Sequence, residues 1–155
     1  MAGIFAHYVR HTLVTFEETA PPVAAWQARL DELAALGLPF LVARTGGEVA
    51  GYAYASPWRG LPGYRRTVTD SVYVAPHRTG QGLGRALLAA LLTECARAGM
   101  RQVIAVIAGT GDGTSIALHR SFGFTWAGRL TGVGSKHGRW IDTVLMQLDL
   151  TTAGG

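Results

Sequence analysis

The run Val72-Tyr73-Val74-Ala75-Pro76-His77-Arg78-Thr79-Gly80-Gln81-Gly82-Leu83-Gly84-Arg85 constrains the fold of this chain more than any other stretch. Its β-branched and aromatic start suits a pleated strand. Glycines follow, and from Gly84 to residue 98 leucines recur at helical spacing. A strand that turns through glycines into a helix gathers consecutive backbone N–H groups and a helix N-terminus in one place, which makes a cradle for an anion. Glycine also lets that backbone approach a pyrophosphate closely. A glycine-rich turn with no ligand is the plain alternative. Two other phosphate motifs fail. The pattern G-x-x-x-x-G-K-[ST] needs a lysine, and Lys136 is the only one in the chain. The pattern G-x-G-x-x-[GA] ends on Arg85 when started at Gly80 and on Leu87 when started at Gly82.

The remaining pattern supplies a sheet for this unit. Pro21-Pro22 opens a helix over 23–36, which Gly37 and Pro39 end. Residues 40–44 and 48–56 read as strands about a Thr45-Gly46-Gly47 turn, 57–63 as a loop and 66–75 as a third strand. A continuous apolar run over 102–108 predicts a strand buried on both faces. A short helix over 114–121 and strands over 124–130 and 141–150 complete the order. Strands and helices in this order predict an α/β (α+β) fold, a mixed central sheet flanked by helices. The 155 residues suit a single domain over 1–155 with a core of its own. Cys95 is the only cysteine, so no intrachain disulfide forms and a cytoplasmic, reducing compartment is expected. The apolar runs are too short to cross a bilayer, and no signal peptide precedes them. Between residues 49 and 93 five arginines (Arg59, Arg65, Arg66, Arg78 and Arg85) face one acid, Asp70, a field that draws phosphates or carboxylates. They are not interleaved with a stacking platform or a DNA-reading motif, so no nucleic-acid partner is expected. No metal is expected either, for want of a tight cluster of Cys, His and acids.

The segment 78–85 resembles the acyl-coenzyme A signature of the GNAT superfamily, [QR]-x-x-G-x-[GA], with Gly82 and Gly84 at its small positions and Thr79 where Gln or Arg is usual. Residues 112–124 resemble its N-x-x-[AS]-x-x-L-Y-x-x-x-G-F. There Asp112 replaces Asn and can still cap the helix, and His119 replaces an acid/base tyrosine. Thr15-Phe16-Glu17, Gly51-Tyr52-Ala53, Trp58-Arg59, residues 64–74 and the turn from Gly134 to Asp142 resemble the phosphinothricin and methionine sulfone or sulfoximine acetyltransferase branch. The likeness runs over about residues 4–150. It departs in two places. Residues 4–9 look like the end of a first helix, so the branch's first strand has no counterpart. Thr69 stands where the branch carries a glutamate in its fourth strand.

The resemblance implies acetyl-CoA as cofactor, held by Val72, Tyr73, Val74, Arg78, Thr79, Gly80, Gln81, Gly82, Leu83, Gly84, Arg85, Asp112 and Ser115. It implies direct transfer to the primary amine of a small amino-acid analogue. N-acetylation of a protein or peptide and a non-catalytic acyl-CoA-binding module are the other readings. Arg59 and Arg65, with Thr69 nearby, are expected at the substrate's anionic group. His119 titrates near working pH and is the first candidate for proton transfer. Asp70 alternates with Thr69 along a strand, so it should face away unless a bulge shifts the register. Lys136, His137 and Arg139 read as a polar hairpin, and Trp58 and Trp140 as packing residues. Without a preceding strand, 40–44 is an exposed edge, expected to be covered by the N-terminal segment or by a second copy in a homodimer.

Overall fold

Alternation along the strands sorts aromatic side chains to one face of a sheet and small ones to the other. The computed structural model describes residues 1–152; residues 153–155 of the expected domain lie outside the described residues. Helices α1 (Ala2–His11) and α2 (Val23–Ala35) precede β1 (Phe40–Thr45), β2 (Glu48–Pro57) and β3 (Thr67–Val74). Helix α3 (Leu83–Arg97), β4 (Gln102–Ala108), α4 (Thr114–Ser121), β5 (Thr125–Lys136) and β6 (Arg139–Asp149) follow. The six strands form one sheet in the order β1-β2-β3-β4-β6-β5. Every neighbouring pair is antiparallel except β3 with β4. This is the mixed, helix-flanked sheet that the element order predicts.

Tyr52 and Tyr54 on β2 share a face with Phe40 on β1 and Tyr73 on β3, and Phe5 of α1 and Trp26 of α2 pack edge-on against that aromatic layer. The intervening Gly51, Ala53 and Ala55 face α3, whose Leu87, Leu88, Leu91 and Cys95 are buried. Cys95 is a core residue. Burial, then the charges of Asp70 and Glu94, push its thiol up to about 12, so it stays an inert thiol.

Three expectations change. The strand begun near residue 124 runs on to Lys136, because bulges after Trp126 and Leu130 keep it in register with β6 until the His137-Gly138 turn. Strand β4 is not covered on both faces: Val103, Ala105 and Ile107 are buried, but Val106 opens on a cavity. Trp140 is 77% exposed and packs no core. Helix α1 opens the described chain, and β1 is the sheet's outer strand, bonded to β2 alone.

The close approach of β2, β3 and α3 hangs on Gly51, where a Cβ would lie 2.8 Å from the Tyr73 carbonyl oxygen and 3.0 Å from Leu87 Cδ1. Gly51→Ala is expected to lose about 1–3 kcal/mol in urea denaturation, because a backbone oxygen cannot step aside.

Candidate active site

Strands β3 and β4 share three residue pairs, Thr67 with Gln102, Val68 with Val103 and Thr69 with Ile104, and then part. Each stays paired on its outer side, β3 to β2 as far as Val74 and β4 to β6 as far as Ala108. The wedge between them belongs to a cavity of about 630 Å³, within the range of roughly 300–1,000 Å³ usual for small-molecule sites. The Thr67 carbonyl accepts from Trp58 beyond β2, and the Ala75 amide donates to Ala50, so odd-numbered backbone groups of β3 turn toward β2. By the strand's period of two, the amides and carbonyls of Val72 and Val74 turn into the wedge. Tyr8 of α1 donates its hydroxyl to the Val74 carbonyl at 2.6 Å.

At the open end of the wedge stands the N-terminus of α3. Its cap, Gly82, is left-handed at φ 81°, and no side chain caps the helix. The first amides of a helix have no partner within it, so here they are free for a ligand in the adjoining cavity. Gly80 is also left-handed, and a Cβ at either glycine would enter open space. Arg78, Thr79, Gly80, Gly82, Leu83 and Gly84 line the cavity, as do Val72, Tyr73 and Val74. Gln81 and Arg85 do not. Arg85 instead reaches α4, donating to Ser121 Oγ at 2.8 Å with its guanidinium over the Phe122 ring. Across the cavity Asp112 Oδ1 accepts from the Thr114 amide at 2.9 Å, so it steadies the start of α4, with Ser115 beside it in the wall.

The register of β3 is regular, with no bulge near Asp70. Asp70 and Thr69 therefore point to opposite faces, but the cavity-lining group is Asp70. The expectation that it faces away is corrected: helix α4 lies on that side, and His119 Nε2 is 2.8 Å from Asp70 Oδ2. Thr69 shares a 2.9 Å hydrogen bond with Ser56 on the other face and does not line the cavity. Side chains of His119 and Asp70 are only 7% and 3% exposed. His119 Nδ1 lies 2.7 Å from the Ser115 carbonyl, which can only accept, so Nδ1 carries a proton. Burial alone would lower the pKa of this imidazole. The hydrogen bond and charge of Asp70 and the Ser115 carbonyl outweigh it and hold the pKa above the ordinary value. The pair thus has both ring nitrogens engaged. Its one unpartnered atom is Asp70 Oδ1.

The arginines expected at the substrate lie elsewhere. Arg59 rests over the Trp58 ring, and Arg65 donates to the Pro62 carbonyl; neither lines the cavity. Sequence reasoning missed Tyr8, Val14 and Arg129, which do. Arg129 is held by both Nε and Nη2 to Asp142 Oδ2, while Asp142 Oδ1 accepts from Gly132. Lys136 is no surface residue: it is buried and donates to the Thr15 carbonyl.

Comparison with known proteins finds a family and several relatives. The pattern of the Acetyltransferase (GNAT) family matches residues 4–124. A phosphinothricin N-acetyltransferase from Alcaligenes faecalis is 46% identical over 150 residues, covering 97% of this chain and 76% of that protein. An L-methionine sulfoximine/L-methionine sulfone acetyltransferase from Pseudomonas aeruginosa is 42% identical over 154 residues, covering 97% and 89%. A Salmonella typhimurium chain solved with its cofactor acetyl-CoA superposes with a TM-score of 0.93 at 40% identity, covering 96% of this chain and 86% of that one.

The buried pair fixes a pH signature. A raised native pKa means that the stability it contributes is full below the unfolded value of about 6.5 and fades as pH rises through the native value. In an NMR titration His119 is expected to titrate above the ordinary histidine value, and Asp70→Asn to bring it down. An unchanged midpoint in Asp70→Asn would refute the pairing.

Proposed function

The chain belongs to the GNAT acetyltransferase family, and on that premise we propose that it is a single-domain N-acetyltransferase. It carries an acetyl group from acetyl-CoA to the primary amine of a small amino-acid analogue such as phosphinothricin or methionine sulfone. The observation that carries this reading is the wedge between β3 and β4, which joins an uncapped helix N-terminus to a buried Asp70–His119 pair in one cavity. The names of the relatives support the substrate class.

The residues present fit acetyl-CoA. Gly80 and Gly82 leave open space where a side chain would stand, and the α3 amides, with Arg78, would take the phosphates. The inward amides and carbonyls of Val72 and Val74 would take the amide-rich arm as a third strand takes its neighbours. When bound, acetyl-CoA supplies the activated acyl group. Asp70 Oδ1, the unpartnered acceptor of the pair, would take the amine's proton, and that proton would leave with coenzyme A as its thiol. His119 keeps that carboxylate in place through the contact of Nε2 with Asp70 Oδ2. Thr69 does no proton work, since a hydroxyl does not titrate in range.

A thiol-release assay with acetyl-CoA and a panel of amines tests the reading. Asp70→Asn and His119→Ala are each expected to lower turnover about 10²–10⁴-fold, and the double variant to fall no further than the worse single one. Gly82→Asp, which sets a negative charge in the cradle, is expected to weaken acetyl-CoA binding in calorimetry. Binding of acetyl-CoA with no amine acetylated would favour a non-catalytic binding module, and turnover on peptide N-termini alone would favour a protein acetyltransferase.

The same reading includes a homodimer in the cytoplasm. The free edge of β1 and the exposed Trp126, Leu130, Val133 and Trp140 support a second copy. The single buried cysteine suits a reducing compartment, and no described helix is long and apolar enough to cross a membrane. Light scattering is expected to return about twice the mass of the chain; a monodisperse monomer with fast amide exchange along β1 would refute the dimer.

A further inference from the structure

The chain's only lysine lies where an ammonium is costly. Lys136 ends β5, is 1% exposed, and donates from Nζ to the Thr15 carbonyl at 2.7 Å. Two residues earlier, the bare backbone of Gly134 carries the ring of Phe16: a Cβ there would lie 2.6 Å from the ring's Cε1 and Cζ. Both contacts grip the stretch that joins α1 to α2. Its near end is tied to the opposite arm of the wedge. Thr12 Oγ1 donates to the Tyr8 carbonyl, the Val14 amide donates to Thr12 Oγ1, and the Tyr8 hydroxyl donates to Val74 of β3.

The stretch thus runs from the β3 side of the cavity to the β5–β6 hairpin, on the face that α1 covers. Val14, halfway along it, lines the cavity. Val106 of β4 lines the same cavity and points to that face, since its neighbours Ala105 and Ile107 are buried on the other. This is the side of the wedge away from Asp112, Ser115 and His119.

We propose that Lys136 and Gly134 are positioning residues that hold residues 12–18 across the wedge, so that Val14 walls the space taken by the acceptor amine. Neither touches the reacting atoms. The proposal rests on the acetyl-transfer reading and adds to it the device that fixes acceptor selectivity. A lysine suits this anchor because its stem is buried and its ammonium donates to one carbonyl, which the planar fork of an arginine would overfill.

A lone lysine can be labelled selectively and told apart from the chain's N-terminal amine by peptide mass. In the native protein, acetic anhydride should modify Lys136 slowly. Gly134→Ala, which displaces the Phe16 ring, should speed that modification about tenfold and quicken amide exchange over residues 12–18 but not along β4. With acetyl-CoA and methionine sulfone, Lys136→Met and Gly134→Ala should each raise the amine KM about tenfold and leave the acetyl-CoA KM unchanged. Val14→Ala, a truncation of a half-exposed side chain, should change the preference among amines of different side-chain length while the fold stands. The proposal is overturned if the amine KM is unchanged in both anchor variants, or if both KM values rise together with a general loss of stability. If the parent protein acetylates no amine, the transfer reading fails, and the labelling and exchange rates still decide whether the anchor holds the stretch.

Discussion

Two parallel strands that bond over three residue pairs and then separate leave backbone donors and acceptors facing one another across a gap. Buried groups of this kind must find partners, and here the protein itself provides few. The separation is possible because neither strand depends on the other for support. Strand β3 is carried to Val74 by β2, and β4 to Ala108 by β6, so each keeps a full ladder on its outer side. The rest of the site is arranged around that wedge. Helix α3 begins at its open end with an uncapped N-terminus, α4 closes one face, and the stretch after α1 crosses the other.

The Asp70–His119 pair sits just beyond the last β3–β4 pairing. Desolvation makes such a pair expensive, and its geometry has to compensate. The Ser115 carbonyl and Asp70 Oδ2 occupy both ring nitrogens, and only Asp70 Oδ1 is left without a partner. An unpartnered buried carboxylate oxygen beside a cavity is a cost that calls for a function, and the proton transfer proposed above is one. The same charge reaches Cys95 beneath the sheet and helps keep that thiol protonated.

Much of the framework was legible because it is local. The strand-to-helix turn through Gly80, Gly82 and Gly84, the helix over residues 114–121 and the order of strands follow from period, glycine placement and caps. Side-chain direction was the part of the site that sequence could not supply. Alternation correctly separates Asp70 from Thr69, but a one-dimensional pattern does not say which face the fourth helix will cover. Arg59 and Arg65 looked like anion ligands by charge alone, and their local partners, the Trp58 ring and the Pro62 carbonyl, hold them outside the cavity. Arg85 likewise serves a helix–helix contact with Ser121 and Phe122.

The elements, their order and the glycine cradle were already set in the amino-acid sequence, since these depend on backbone preferences spanning a few residues. The motifs around Phe16 and Lys136 were marked there too, without a reason for either. That Gly134 is bare to admit Phe16, that Lys136 reaches a carbonyl 121 residues away, and that Asp70 meets His119 across 49 are matters of the folded molecule alone. These contacts join segments remote in the chain, and their geometry is set by how β3 and β4 part and by which helix covers which face. No local pattern encodes that, because it emerges only when the whole sheet is assembled.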